Sequence, residues 1–267
     1  MSGERGMTFH VWRGEDRASG GFQEHRVAVD EGMVVLDVMF KIQAEAAPDL
    51  AVRWNCKAGK CGSCSAEING RPRLMCMTRV SDLPADEPTA VAPMRTFPLV
   101  RDLVTDVSFN YEKAKGIPNV RLGSKDADGT RRMYQEEVER VQEFHKCIEC
   151  FLCQDVCHVI RDHEENKEAF SGPRFFVRLA ALEMHPLDTN DRLELTRAKA
   201  GLGFCNITKC CTEVCPEHIK ITDNAIVQLK ERVVTEYYDP LTWVKRRILG
   251  QRPTRIGEKE PAAPSDR

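Results

Sequence analysis

The stretch Arg53-Trp54-Asn55-Cys56-Lys57-Ala58-Gly59-Lys60-Cys61-Gly62-Ser63-Cys64 carries three cysteines with four and then two residues between them, and Cys76 follows after eleven more. Thiols at this spacing suit a short loop wrapped around an inorganic rhomb, and they read as ligands of a [2Fe–2S] cluster. Gly59 and Gly62 let the loop bend tightly enough for its N–H groups to turn toward the sulfurs. Such hydrogen bonds help to set the reduction potential. The fourth thiol arrives on the far strand of a hairpin, because Cys64 to Met77 turns at Asn69-Gly70, a dipeptide suited to a type I′ turn. A structural zinc ion also takes four cysteines. Zinc ribbons, however, use two separated CxxC knuckles rather than CxxxxCxxC with one remote partner.

Outward from this loop the pattern is that of a small sheet. Residues 8–13 and 24–30 alternate apolar and polar, as half-buried strands do, with Gly20-Gly21 between them. Val35, Met39, Ile42 and Ala46 form one stripe of a helix that ends near Pro48. Thr89 to Ala92 reads as a closing strand. A sheet with one packed helix around these cysteines is the plant-type ferredoxin, or β-grasp, arrangement, expected over residues 1–111.

The remaining cysteines fall in two runs. Cys147, Cys150, Cys153 and Cys157 are spaced x2, x2, x3, and Cys205, Thr208, Cys211 and Cys215-Pro216 repeat that spacing with one substitution. Both follow the bacterial pattern C-x2-C-x2-C-x3-C-P, in which the fourth cysteine of each run ligates the other cluster. That exchange assigns Cys147, Cys150, Cys153 and Cys215 to a [4Fe–4S] cube. It leaves Cys157, Cys205 and Cys211 with a cluster one thiolate short. A threonine hydroxyl is a poor substitute for a soft thiolate, so the third cluster is expected to be [3Fe–4S]. Cys210 fits neither slot and reads as a small buried hydrophobe; as an alternative it would be a fourth ligand.

Around these runs the periodicity is helical. Val138, Val141 and His145 share one face, and Phe175, Leu179 and Leu182 another. Ile226, Leu229 and Val233 share a third, with Thr222 placed as an N-cap. The fold class is therefore α+β: the plant-type ferredoxin domain, then an all-helical, bacterial-ferredoxin-like domain over 135–250. The polar stretch 112–134 reads as a linker or an extended surface crossing, and 251–267 as a charged tail. The formal charge of −2 argues against a nucleic-acid partner. No apolar run is long enough to span a bilayer, and the amino terminus lacks the pattern of a signal or transit peptide.

Over roughly residues 8–240 the chain resembles the iron–sulfur subunits of succinate:quinone oxidoreductases and quinol:fumarate reductases. Eleven cysteines match in order and spacing, Thr208 stands at that family's non-cysteine position, and the wording looks most like actinobacterial members. The resemblance implies a flavoprotein subunit that oxidises succinate at covalently held FAD. It also implies single electrons passing through the three clusters to a quinone, menaquinone in particular, at a membrane anchor. The subunit would lie peripherally on the cytoplasmic face of the cell membrane and would itself perform no acid–base chemistry on succinate. Running in reverse, the same subunit would serve fumarate reduction. A stand-alone two-cubane reductase would need its own flavin or nucleotide motif, and no G-x-G-x-x-G is present. Two departures stand out. Relatives often carry proline after the cysteine matching Cys157 and tryptophan nearby, where this chain has Cys157-His158-Val159-Ile160-Arg161-Asp162-His163, and Asn206 replaces a frequent histidine. His158, Arg161 and His163 are the quinone-proximal candidates, with an interface or solvated face as the alternative. Lys245, Arg246, Arg247, Arg252 and Arg255 form either a solvated end or one resting on anionic lipid.

Overall fold

The computed structural model describes residues 5–249, so the expected tail beyond Gly250 lies outside the described residues. Contacts divide the chain into two compact units that do not follow sequence order. The first takes Met1–Phe109 together with Ile148–Glu164 and Glu213–His218; the second takes Asn110–Cys147, Glu165–Thr212 and Ile219–Arg267.

The first unit is built on β1 (Arg5–Arg13), β2 (Gly21–Val29), α1 (Val35–Glu45), β3 (Ser65–Ile68), β4 (Arg71–Leu74) and β5 (Thr89–Ala92). The sheet order is β2-β1-β5-β3-β4. β1 pairs antiparallel with β2 from Arg5↔Val29 to Arg13↔Gly21, and parallel with β5. The strand expected to close the sheet is thus its middle one. Met7, Phe9 and Val11 alternate inward and join Val35, Leu36, Val38, Met39 and Ile42 of α1 in the core. Burying each such side chain contributes about 1.5–3 kcal/mol. Ala46 falls off the expected stripe. The helix ends at Glu45, the chain turns, and the Ala47 N–H bonds back to the Ile42 carbonyl, so Ala47 is buried instead. Asn69 and Gly70 both have positive φ (50° and 73°), as a type I′ turn requires. A short ribbon of β6 (Leu99–Arg101) and β7 (Val104–Thr105) follows. Gly20 is fixed by packing: a Cβ there would lie 2.2 Å from the Trp12 ring.

The helices follow as α2 (Ser108–Lys115), α3 (Gln135–Gln142), α4 (Leu152–Asp155), α5 (His158–Arg161), α6 (Asn166–Ala169), α7 (Pro173–Glu183), α8 (Cys210–Glu213), α9 (Gln228–Tyr237) and α10 (Pro240–Leu249). After α3 the chain tightens into a 3₁₀ turn, Glu143–Lys146. Three residues per turn bring Phe144, not His145, onto the buried side of Val141. α7 is buried nearly all round, through Phe175, Phe176, Val177, Leu179, Ala180 and Ala181. Ile226, Leu229 and Val233 are buried as the periodicity predicts. Thr222, however, is no N-cap: it lies inside a π-helical segment, Ile221–Val227, that leads into α9. In the second unit the polar crossing is pinned by Arg192, which is fully buried. Its guanidinium meets Asp188 at 2.6 Å and donates to the Pro118 and Asn119 carbonyls.

Candidate cluster-binding sites

The Cys56–Cys64 loop turns its amides onto its thiols. The Ala58 and Lys60 N–H groups each lie 3.3 Å from Cys56 Sγ, and the Cys56 N–H lies 3.5 Å from Cys61 Sγ. The backbone reaches this shape through positive φ at Lys57, Gly59 and Gly62. On the hairpin side the Cys76 N–H points at Cys64 Sγ, 3.5 Å away. Burial, with the neighbouring Cys76 and Cys61 thiols, pushes the Cys64 thiol up to about 12. At Cys61 the burial penalty is outweighed by hydrogen bonds from Ser63 and Cys56, and the thiol falls to about 7. Thiolates this crowded ionise together only when positive charge arrives between them. Amide donors turned onto three of the four cysteine sulfurs therefore fit a [2Fe–2S] group. Among the described residues no three His, Cys, Asp or Glu side chains converge on a single metal ion.

Within the same unit this loop touches the second cysteine run. A Cβ on Gly62 would lie 2.5 Å from the Cys150 Cα, so only glycine fits. Ser65 Oγ lies 2.8 Å from both the Gly62 and the Cys150 carbonyl oxygens. Further on, the Thr96 N–H donates to Asp155 at 2.9 Å, and Arg161 pairs with Glu67 at 2.9 Å while donating to the Asp155 carbonyl. Burial, and then the Glu67 charge, raise the fully buried Asp155 carboxyl to about 7. Lys60 pairs with Glu217 and Arg71 with Glu213 at the edge of the unit. Of the quinone-proximal candidates, Arg161 is thus engaged by Glu67, His158 is half-buried on α5, and His163 is exposed.

The two later runs repeat one backbone trace. Adding 58 to each number of the first run gives the second, and left-handed φ at Glu149 and Phe151 recurs at Ile207 and Lys209. The one-turn helix α4 recurs as α8 at the same offset, and Cys147 and Cys205 each follow a 3₁₀ turn in extended conformation. Non-glycine residues with positive φ are uncommon, so two such pairs at matching positions mark one loop design used twice. Thr208 stands where the first run has Cys150. Cys210 stands where it has Leu152; Leu152 is buried, whereas Cys210 is only half-buried, short of the burial expected of it.

Cys150, Cys153, Cys157 and Cys215 belong to the first compact unit, whereas Cys147 ends a segment of the second. Cys205, Cys210 and Cys211 lie in the second unit. There the buried Cys211 Sγ is 3.4 Å from the Thr222 hydroxyl, which also bonds Thr212 at 3.1 Å. Burial pushes the Cys211 thiol up to about 11, with the Thr222 bond pulling the other way. Lys230 donates to the Cys205 carbonyl at 2.7 Å, and Thr208 Oγ1 is 3.4 Å from Cys210 Sγ. Ser65 and Thr222 are the residues that sequence reasoning missed. One sits directly after a ligand cysteine, and the other carried the stronger appearance of a cap.

A family model described as a 2Fe-2S iron-sulfur cluster binding domain matches residues 8–112, and a 4Fe-4S dicluster domain matches 143–219. An iron–sulfur protein of Methanococcus maripaludis is 29% identical over 86% of this chain, and one of Methanocaldococcus jannaschii 30% over 79%. This chain spans less than half the length of each of those relatives, 46% and 41%. The fumarate reductase iron-sulfur subunit of Mycobacterium tuberculosis is 32% identical, with 80% of this chain and 86% of that one covered. A chain in the solved Mycobacterium smegmatis Sdh1 complex in the apo form is 63% identical. The match covers 90% of this chain and all of that one, with a TM-score of 0.86. With the two cysteine-bearing domains in this order and likeness running through both, the chain belongs to the family of electron-transferring iron–sulfur subunits of succinate dehydrogenase and fumarate reductase.

Proposed function

We propose that this subunit relays single electrons between a flavoprotein that oxidises succinate and a membrane quinone, menaquinone in particular. The observation that carries the reading is the repeated loop with Thr208 in a cysteine's place, which separates a graded relay from a plain two-cubane carrier. Cys56, Cys61, Cys64 and Cys76 would hold [2Fe–2S]. On the doubled spacing, Cys147, Cys150, Cys153 and Cys215 would hold [4Fe–4S], and Cys157, Cys205 and Cys211 would hold [3Fe–4S]. When bound, these groups supply one-electron redox chemistry in a row from flavin to quinone.

The chain's own residues tune and position. Amides of Ala58 and Lys60 stabilise negative charge on Cys56, and the Thr222 hydroxyl does so on Cys211. Ser65 and Gly62 fix the first loop against Cys150. His158 and His163 are the candidates nearest the quinone, with Arg161 contributing through its ion pair. The partners are an FAD-bearing flavoprotein and a membrane anchor, with this subunit peripheral on the cytoplasmic face. Among the described residues no helix is long and apolar enough to cross a membrane.

The likeness to the Sdh1 complex favours succinate oxidation, while the likeness to the fumarate reductase subunit of Mycobacterium tuberculosis favours the reverse reaction. Redox titration in the assembled complex tests the choice. A third-cluster potential above that of succinate/fumarate, with clusters reduced by added succinate, is the expected result. Clusters left oxidised by succinate would overturn the succinate reading.

A further inference from the structure

In α10, the last described helix, none of the described side chains is buried. Asp239 caps it, accepting from the Leu241 and Thr242 N–H groups and from the Thr242 hydroxyl at 2.6 Å, and Pro240 occupies the first turn. This is a well-formed start for a helix. Leu241, Val244 and Ile248 then follow at i, i+3 and i+7, the spacing that normally turns inward. Here Leu241 is 78% and Ile248 76% exposed, with Trp243, Val244 and Leu249 exposed as well. Tyr238, just before the cap, is also exposed. An apolar face of this extent on a helix marks an interaction surface.

Charge identifies the occupant. From Pro240 to Ile256 the sequence holds Lys245, Arg246, Arg247, Arg252 and Arg255 and no acidic residue, in a chain whose formal charge is −2. Three of these cations fall on the helix itself. Apolar side chains, tryptophan and tyrosine, and cations with no acid among them together match the interface of an anionic bilayer. The ten described residues of α10 span about 15 Å, half of what a hydrocarbon core requires, and among the described residues no helix is long and apolar enough to cross a membrane, which favours a helix lying in the interface. We infer that α10 is an amphipathic membrane-surface helix that binds anionic phospholipid directly, in addition to any hold exerted by an anchor subunit. This does not depend on the cluster assignment, and the two can fail separately.

The test uses the full-length, cluster-loaded protein and vesicles of phosphatidylcholine alone or in equal mixture with phosphatidylglycerol, read by co-sedimentation. Binding to the mixed vesicles is expected to be on the order of tenfold stronger and to weaken as salt is raised. Charge reversal in Lys245→Glu/Arg246→Glu/Arg247→Glu, and loss of the apolar face in Leu241→Asp/Ile248→Asp, should each remove most of that binding. An unchanged visible cluster spectrum certifies that the variants are folded. Equal binding to both vesicle types, or indifference to either variant, overturns the inference. So does a wild-type protein that ignores vesicles while Leu241→Asp/Ile248→Asp fails to assemble with its partner subunits, since the face would then be covered by protein.

Discussion

On the proposed ligand exchange Thr208 and Thr222 would bear on the third cluster in opposite ways, one by withholding a ligand and the other by its hydrogen bond to Cys211. Thr208→Cys is expected to convert the third cluster toward [4Fe–4S] and to lower its potential by on the order of a hundred millivolts, slowing quinone reduction. Paramagnetic resonance checks it, and an unchanged cluster type would count against the ligand exchange. Thr222→Val removes the donor 3.4 Å from Cys211 Sγ. Because that bond favours the more negative, reduced state, the potential should fall by on the order of tens of millivolts, with Thr222→Ser restoring it. Cys210→Ala should leave the cluster type unchanged, since its counterpart in the first run is Leu152. Cysteine spacing carried the Thr208 reading from sequence alone. Thr222 was invisible there, because a threonine next to Asp223 at a helix start looks like a cap until the π-helical turn is known.

At the scale of elements, close approach of backbones decides more than side-chain type. Gly62→Ala would place a Cβ 2.5 Å from Cys150 Cα at a φ of 68°. The left-handed conformation costs about 1–2 kcal/mol and the overpacking about 1–3 kcal/mol. Severalfold less iron should therefore be retained by the purified protein, measured against total protein. Ser65→Ala leaves the Gly62 and Cys150 carbonyls without their shared donor, a milder loss of about 1–3 kcal/mol, visible as a lower temperature of cluster bleaching. Arg192→Met removes the buried cation that meets Asp188 at 2.6 Å, at about 3–5 kcal/mol. Limited proteolysis should then cut within residues 116–134, where the wild-type chain resists. Strand alternation and helix stripes located most elements within a few residues. Ala46 and His145 fell off their stripes because the helix stopped in one case and tightened to 3₁₀ in the other, changes that periodicity does not encode. The fixing of the polar crossing by Arg192 was equally hidden, because a lone arginine reads as surface.

For the whole molecule, sequence order gave the two cysteine-bearing domains but not the compact units. Ile148–Glu164 and Glu213–His218 leave their sequence neighbours to pack with the N-terminal sheet, through contacts such as Ser65 with Cys150 and Thr96 with Asp155. Those contacts depend on tertiary proximity and leave no periodic trace. The proposed ligand set would make the chain a carrier with one unequal site, and the repeated loop with Thr208 in a cysteine's place supports that proposal. Iron and acid-labile sulfide counting on the full-length protein purified under argon, combined with paramagnetic resonance of the oxidised state, tests it most directly. The prediction is about nine irons, two, four and three, with a half-integer-spin signal from the third cluster in the oxidised protein. About ten irons with a diamagnetic oxidised state, or little iron with stoichiometric zinc, would contradict it.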